Sequence, residues 1–371
     1  MSRGAAPMTG SIAAPVATLT WSPELGKRVR EGDWRELVVS TVQRIDDAID
    51  AGQMEVAAQL VDYFMEEAKV CHNVYRSWTE GFERWLSHRD VEVRAERERL
   101  DALLAFPDGE PFAPLERWRA LGAQAGALAA ELRGEALDAH EARARMDALR
   151  EAWRQLHDRW ADLQSGLLTF IARRFGEAAI GDCYRAVLGP FLRERYGPYD
   201  IRRRPYEETV ERNLYLAFEA MRAHLVGPER LGNMEVTEHD DRWVIAFDPC
   251  GSGGRGQRGD PVEGTPSRSE PPYEFGVTQQ EHDWAWNEKG VCYYCAHCCL
   301  TNELWAVEQW GAPVRVTDSP LHPDETLGPD PKPCTWTIYK SVAAVPEEAY
   351  RRIGRTKGDR AMPGGADQEE R

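Results

Sequence analysis

The sequence lacks any apolar run long enough to cross a membrane, which takes ~20 consecutive residues. It also lacks an excess of basic residues, because 62 acidic against 46 basic residues give a formal net charge of -16. Such a charge opposes broad electrostatic binding to nucleic acid or to an anionic membrane. The first twenty residues, interrupted by Pro7 and Pro15, do not have the pattern of a secretion signal. We therefore expect a cytoplasmic protein that binds neither nucleic acid nor membranes.

Cysteine is scarce, but its distribution is uneven. Only eight of the 371 residues are cysteines, and four of these lie with one histidine between Cys292 and Cys299. In a reducing compartment, clustered thiols favour metal binding or redox chemistry over structural disulfides. Six of the eight lie in the C-terminal part of the chain, namely Cys250, Cys292, Cys295, Cys298, Cys299 and Cys334.

The N-terminal two thirds of the chain have the apolar spacing of helices. Eight residues from Val61 to Trp85 alternate in steps of three and four, which predicts the buried face of a long helix. Residues 146–167 repeat that spacing, and further helices are predicted over 177–195, interrupted at Gly189-Pro190, and over 206–225. Two long helices joined by short breaks predict a helical bundle. Cys71 lies on the first buried face, so we interpret it as a small core residue rather than a ligand.

After residue 230 the spacing changes to the period of strands. Residues 234–247 predict a hairpin, and 312–318 and 334–340 predict two more strands. The predicted fold class is α+β, with an N-terminal helical bundle and a small C-terminal Cys/His-rich α+β unit. The predicted parts are a disordered segment (1–32), a helical hairpin (33–112), a helical bundle region (113–230), a Cys-rich α+β unit with a metal site (231–345) and a flexible tail (346–371).

The clustered cysteines have the spacing of a metal site. In Cys292-x-x-Cys295, two thiolates of one tight turn can reach one tetrahedral ion, and His297 and Cys298 follow directly. Zinc suits such mixed sulfur and imidazole ligation. The predicted ligands are Cys250, Cys295, His297 and Cys298, with Cys292 as the reserve ligand.

The identity of the metal stays open at this point. Cys292, Cys295 and Cys298 also form the three-cysteine run of iron-sulfur sites. A ferredoxin run would continue with a cysteine four positions later and then a proline, whereas Cys299 and Leu300 follow here. Iron or an iron-sulfur cluster is therefore an alternative to zinc. A metal-free thiol site is another.

Three further side chains are candidates for catalysis. His282 and Asp248 lie near the cysteines in sequence and are candidate proton acceptors for a zinc-bound water. Cys298 and Cys299 are expected to point apart, which leaves one of them free. With Thr301 as a candidate N-cap, the pair would precede a helix N-terminus, which favours a thiolate and makes Cys299 a candidate nucleophile.

A glycine-rich stretch follows the predicted hairpin. Residues 251–256 match Gly-x-Gly-x-x-Gly, but a dinucleotide-binding fingerprint must open a helix within a βαβ unit. A glycine-rich loop fits the surrounding sequence better, with Arg255 and Arg258 available to an anionic substrate. A flexible linker is the alternative.

Parts of the chain resemble a known family. The helical stretch "LLTFIARRFGEAAIGDCYRAVL", the hairpin after it and "CTWTIYK" resemble the layout of bacterial 2-amino-thiazoline-4-carboxylate hydrolase-like proteins over about residues 166–340. The boxes "FDPCGSGGR", "HDWAW" and "YYCAHCC" are similar to those of related uncharacterised bacterial proteins. The resemblance implies hydrolytic or ring-opening chemistry on a small molecule that contains nitrogen and sulfur. It carries over no catalytic residue.

The leading hypothesis from the sequence is a cytoplasmic, metal-dependent enzyme, with zinc as the expected metal and hydrolysis of a small-molecule substrate as the expected reaction. Two alternatives belong to other classes. One is a non-catalytic, zinc-stabilised interaction module, which would have four protein ligands and no pocket. The other is an iron-sulfur or dithiol redox protein. The sequence indicates no oligomeric state.

Overall fold

The structure is a computed structural model that describes residues 17–23, 25–324 and 332–358, and it has a mixed helix-and-sheet, α+β fold. Within those residues, none of the helices combines the length and the apolar character that crossing a membrane requires. The helices are α1 (Trp34–Leu37), α2 (Thr41–Asp50), α3 (Met54–Ser87), α4 (Arg94–Leu103), α5 (Pro114–Arg133), α6 (Ala139–Phe175), α7 (Ala178–Tyr196), α8 (Val210–Ala223), α9 (Gly253–Arg258), α10 (Ala296–Cys299), α11 (Trp305–Trp310) and α12 (Glu347–Arg351). The strands are β1 (Leu19–Ser22), β2 (Lys27–Arg30), β3 (Glu235–Glu238), β4 (Arg242–Phe247), β5 (Val316–Asp318) and β6 (Cys334–Tyr339).

The long helix α3 lies among several others and contacts α2, α5, α6, α7 and α8. Its predicted apolar face is buried from Val61 to Trp85, and α6 buries the second predicted face. Ser40 caps α2 by accepting a hydrogen bond from the Gln43 backbone N–H at 2.9 Å. Both helical predictions are confirmed, because a three-and-four spacing places its residues on one side of a helix.

A four-stranded antiparallel sheet has the order β3-β4-β6-β5. Its strands correspond to the predicted hairpin and to the two further strand predictions. Phe247 of β4 pairs with Cys334 of β6, which places this cysteine at one end of the sheet. Helix α8 packs on the sheet through a cluster that includes Phe218 and Ile338.

The cysteine-rich segment forms a continuous helical run, in which a π-helical turn over Leu300–Leu304 joins α10 to α11. Thr301 lies inside this run, so the prediction that it caps a helix is wrong. Cys292, Cys295 and Cys299 belong to the same apolar core as α3 and α6. The side chains of the long helices and of the cysteine-rich segment are therefore in one packed interior.

Several local predictions differ from the structure because tertiary contacts override local composition. Strands β1 and β2 lie within the segment expected to be disordered, and Lys27 of β2 forms an ion pair with Glu219. Helix α7 continues through Pro190, where Gly189 packs closely against Trp305. Helix α12 lies within the expected flexible tail. Residues 1–16 and 359–371, which belong to the two expected disordered ends, lie outside the described residues.

Candidate functional site

A cavity of about 140 Å³ lies where α3, α7 and α8 meet the cysteine-rich segment and the sheet. Five thiols and two imidazoles line it together with aromatic rings such as Trp78 and Trp336. The thiols belong to Cys71, Cys250, Cys295, Cys298 and Cys334, and the imidazoles to His224 and His297.

Three of the surrounding side chains are close enough to share one ion. Cys71, His157 and His224 each offer a ligand atom, and these atoms all lie within 4.8 Å of one another. The Cys71 Sγ atom is 3.7 Å from His224 Nδ1, which is 2.7 Å from His157 Nε2. This is the one such group of three side chains found among the described residues.

Asp158 fixes the orientation of His157. Its Oδ1 lies 2.8 Å from His157 Nδ1, which therefore carries the proton and leaves Nε2 with its lone pair towards His224. Burial opposes the ionisation of Asp158, but the nearby charges of Arg230 and Arg255 hold its pKa well below the usual range. Arg154 adds an ion pair at 2.8 Å. The carboxylate is thus kept charged and acts as a fixed acceptor.

Two tyrosines connect this group to the cysteine-rich segment. The Tyr75 hydroxyl lies 3.2 Å from both His157 Nε2 and His224 Nδ1, and 2.9 Å from the Tyr294 hydroxyl. Tyr294 directly precedes Cys295 in the chain. The hydrogen bonds that start at the two imidazoles therefore reach the residue next to Cys295.

The protonation states of the three side chains follow from burial. Burial lowers the pKa of His157. Burial and the adjacent His157 ring lower the pKa of His224 well below the usual range, so both rings are neutral. Burial also raises the pKa of Cys71. Neutral imidazoles are the form that binds a metal, whereas a thiolate at Cys71 requires a bound cation to stabilise it.

The structure brings most of the predicted ligands to the same cavity. Cys250, Cys295, Cys298 and His297 all line it, whereas the buried Cys292 does not. The Gly254 backbone N–H donates to Cys250 Sγ at 2.9 Å. Gly253 lets Cys295 approach, because a Cβ atom there would overlap Cys295 Sγ. Their joint ligation of one ion stays a prediction.

Cys298 and Cys299 point in different directions, as expected for adjacent helical residues. Cys298 faces the cavity, and its Sγ is 3.5 Å from His297 Nε2. Cys299 is buried elsewhere, where its Sγ accepts a hydrogen bond from the Trp286 backbone N–H at 3.2 Å. Burial and the charge of Glu303 raise the pKa of Cys299 well above its usual value. The expectation of an activated thiolate at Cys299 is wrong, because the residue lies inside the helical run.

Neither candidate proton acceptor lines the cavity. His282 stacks on Trp284 with ring centroids 4.6 Å apart, and its Nε2 lies 3.3 Å from a carboxylate oxygen of Glu177. Asp248 forms an ion pair with Arg258, and burial raises its pKa. Their proposed roles have no support from the position of these side chains relative to the cavity.

The glycine-rich stretch is ordered by charge. Residues 253–258 form α9, so the expectation of a loop or linker is wrong for them. Arg255 is fully buried and forms an ion pair with Asp162 at 2.6 Å, while Arg258 pairs with Asp248 and Asp324. Because these carboxylates neutralise both guanidinium groups, neither arginine is available to an anionic substrate as predicted.

The sequence interpretation missed the Cys/His/His group. Cys71 lies on α3, His157 on α6 and His224 just after α8. Along the chain, His224 is 153 positions from Cys71 and 67 positions from His157. The apolar spacing correctly indicated that Cys71 is buried. It gave no sign that two imidazoles from elsewhere would meet its sulfur.

Comparisons of the chain with protein-family models, with curated proteins and with solved structures find no match. A functional assignment must therefore come from the cavity and the side chains that surround it.

Proposed function

We propose that the protein is a metal-dependent hydrolase of a small molecule, with zinc bound by Cys71, His157 and His224. The observation that carries this proposal is the convergence of one thiol and two neutral imidazoles, with ligand atoms all within 4.8 Å, at a cavity wall. Zinc is the metal of choice because it accepts mixed sulfur and imidazole ligands in tetrahedral sites.

The number of ligands favours catalysis over a purely structural role. Catalytic zinc sites have three protein ligands and an open fourth position, whereas structural sites have four. Cys71 and His224 line the cavity, so the fourth position would face space that a substrate can enter. A zinc ion there would supply a bound water of lowered pKa for hydrolysis.

Small ring movements are enough to form the site. Two nitrogens bound at ~2.0–2.1 Å to one tetrahedral zinc lie roughly 3.3 Å apart, whereas His157 Nε2 and His224 Nδ1 are 2.7 Å apart and share a hydrogen bond. Binding therefore replaces the shared proton with the ion and separates the rings by about half an ångström. The Asp158 carboxylate keeps His157 in the tautomer that binds a metal.

In this proposal, the helices form the bundle that supplies Cys71, His157 and His224, and the small C-terminal Cys/His-rich unit closes the cavity. The resemblance noted above suggests a substrate that contains nitrogen and sulfur. Cys250, Cys295, His297 and Cys298, with Cys292 in reserve, form the alternative ligand set for zinc or iron.

Metal-dependent turnover tests the proposal. The zinc-loaded, full-length protein is incubated with a panel of cyclic thioimidates, amidines and lactams, and ring opening is followed by mass spectrometry. We expect turnover that a chelator and His224→Ala both abolish, while His239→Ala, in an exposed turn, has no effect. Protein that binds no zinc, or turnover that survives in His224→Ala, would contradict the proposal.

A second candidate function is dithiol redox chemistry at Cys292 and Cys295. A hydrogen bond from the Cys295 thiol stabilises the Cys292 thiolate and lowers its pKa, while the same interaction raises the pKa of Cys295 well above its usual value. Such a split is typical of an attacking thiol and its partner. Both residues are buried, and of the two only Cys295 lines the cavity. Loss of a thiol-disulfide exchange activity in Cys292→Ser would favour this function.

A further inference from the structure

The charged side chains that line the cavity are unevenly neutralised. Two carboxylates and two guanidinium groups line it. Glu67 forms an ion pair with Arg222 at 2.7 Å, and Glu219 forms one with Lys27 at 2.5 Å. Each carboxylate is therefore neutralised by a cation, Arg222 or Lys27, that does not itself line the cavity. The lining guanidinium groups belong to Arg195 and Arg315.

Arg315 is a buried cation without a matching anion. It is 3% exposed, its Nε donates to Asn213 Oδ1 at 3.1 Å, and its guanidinium stacks on Trp336 at 4.6 Å from the ring centroid. Its Nη2 is buried and has no hydrogen-bond partner among the described residues. No ion pair joins it to a carboxylate of those residues. Leaving a buried charged donor unpaired is costly, which indicates that a ligand completes the arrangement.

Arg195 is the second positive charge that lines the cavity. Its guanidinium lies 5.8 Å from the Phe191 ring and 5.9 Å from the Tyr196 ring, and it forms no ion pair with a described carboxylate. Burial opposes ionisation of Tyr196, but Arg315 and Arg195 outweigh it and lower the pKa of this phenol. Both guanidinium groups therefore act on Tyr196, which also lines the cavity.

We propose that the cavity binds a small organic anion, whose charged group contacts Arg315 and whose apolar part lies among Trp78, Phe191 and Trp336. Charge-assisted hydrogen bonds from a guanidinium suit an anionic oxygen, and the aromatic rings suit a compact apolar body. The volume of about 140 Å³ holds on the order of ten water-sized groups. The inference rests on the proposed function in taking this ligand to be the substrate.

Calorimetric titration with three matched probes tests this inference. Sodium benzoate, sodium benzenesulfonate and neutral benzamide are titrated into the full-length protein, with inorganic phosphate as a fourth probe. We expect the organic anions to bind at least about tenfold tighter than benzamide. Arg315→Met should weaken benzoate binding about ten- to a hundredfold and leave benzamide binding unchanged. Arg203→Met, which removes an exposed guanidinium, should change neither.

Equal binding of benzoate and benzamide by the unaltered protein would overturn the inference, even if Arg315→Met fails to fold. So would unchanged benzoate binding in Arg315→Met, as expected if the anion contacts zinc instead, or phosphate binding without benzoate binding. Protein that prefers benzoate but binds no zinc would contradict only the proposed hydrolase. Protein that binds zinc but shows no preference for the anions would contradict only the anion site.

Discussion

His157 Nε2 lies 2.7 Å from His224 Nδ1, and the two imidazoles come from parts of the chain 67 positions apart. The Cys71 sulfur completes a candidate set of three metal ligands with this pair. The charged Asp158 accepts a hydrogen bond from His157 and orients its ring.

Replacing Cys71 with alanine should remove the bound metal. Cys183→Ala is the matched control, because both thiols are buried in the helical core but Cys183 lies outside the cavity. Each substitution should lower the free energy of unfolding by about 1 kcal/mol. Only Cys71→Ala should lower the zinc content, measured by plasma mass spectrometry after dialysis. Equal zinc in both variants would show that the Cys71 sulfur is not a ligand.

Gly253→Ala should disturb the cysteine wall of the cavity. The added methyl group overlaps Cys295 Sγ, and such overpacking costs about 1–3 kcal/mol. Gly122→Ala in α5 meets nothing within 4 Å and should stabilise the protein by about 1 kcal/mol, because alanine favours helix. Urea unfolding compares the two variants. A Gly253→Ala protein as stable as the Gly122→Ala protein would mean that Cys295 moves aside freely.

Asp46→Asn should raise stability at neutral pH. Burial and the nearby Asp147 raise the pKa of Asp46 to about 6, whereas an aspartate of the unfolded chain titrates at about 3.9. Between these values the folded state binds the extra proton, so the free energy of unfolding falls as the pH rises from about 4 to about 6. Removing the charge should therefore add about 1 kcal/mol at pH 7, after allowance for solvent screening, and nothing near pH 4.

Asp50→Asn is the control for this effect, because the exposed Asp50 forms an ion pair with Arg143 at 2.8 Å. This change should not stabilise the protein. Urea unfolding at pH 4 and at pH 7 measures both variants. A gain for Asp46→Asn that is the same at both pH values would contradict the assigned titration.

The elements of this fold were largely predictable from the sequence, because their signals are local. The apolar spacing from Val61 to Trp85 identified the buried face of α3, and the alternation around Phe247 identified the hairpin. The divergence of Cys298 and Cys299 follows from the rotation of about 100° between successive helical residues. Such signals need no knowledge of the tertiary structure.

The candidate site was only partly predictable, because its members meet through tertiary packing. The clustered cysteines indicated metal ligands, and the structure places two of these predicted ligands, Cys295 and Cys298, at the cavity. The pairing of His157 with His224, however, depends on how α6 packs near the end of α8. Helix α9 likewise forms in a glycine-rich stretch because the buried Asp162 holds Arg255. No spacing in the sequence records these long-range contacts.

Zinc K-edge X-ray absorption of the zinc-loaded protein tests the central claim most directly, because it counts sulfur and imidazole ligands separately. Ligation by Cys71, His157 and His224 predicts one sulfur at about 2.3 Å, two imidazole nitrogens at about 2.0–2.1 Å and one further light atom. His224→Ala should remove one of the imidazole contributions. Three sulfurs and one imidazole would instead assign the ion to Cys250, Cys295, Cys298 and His297, and would contradict the account.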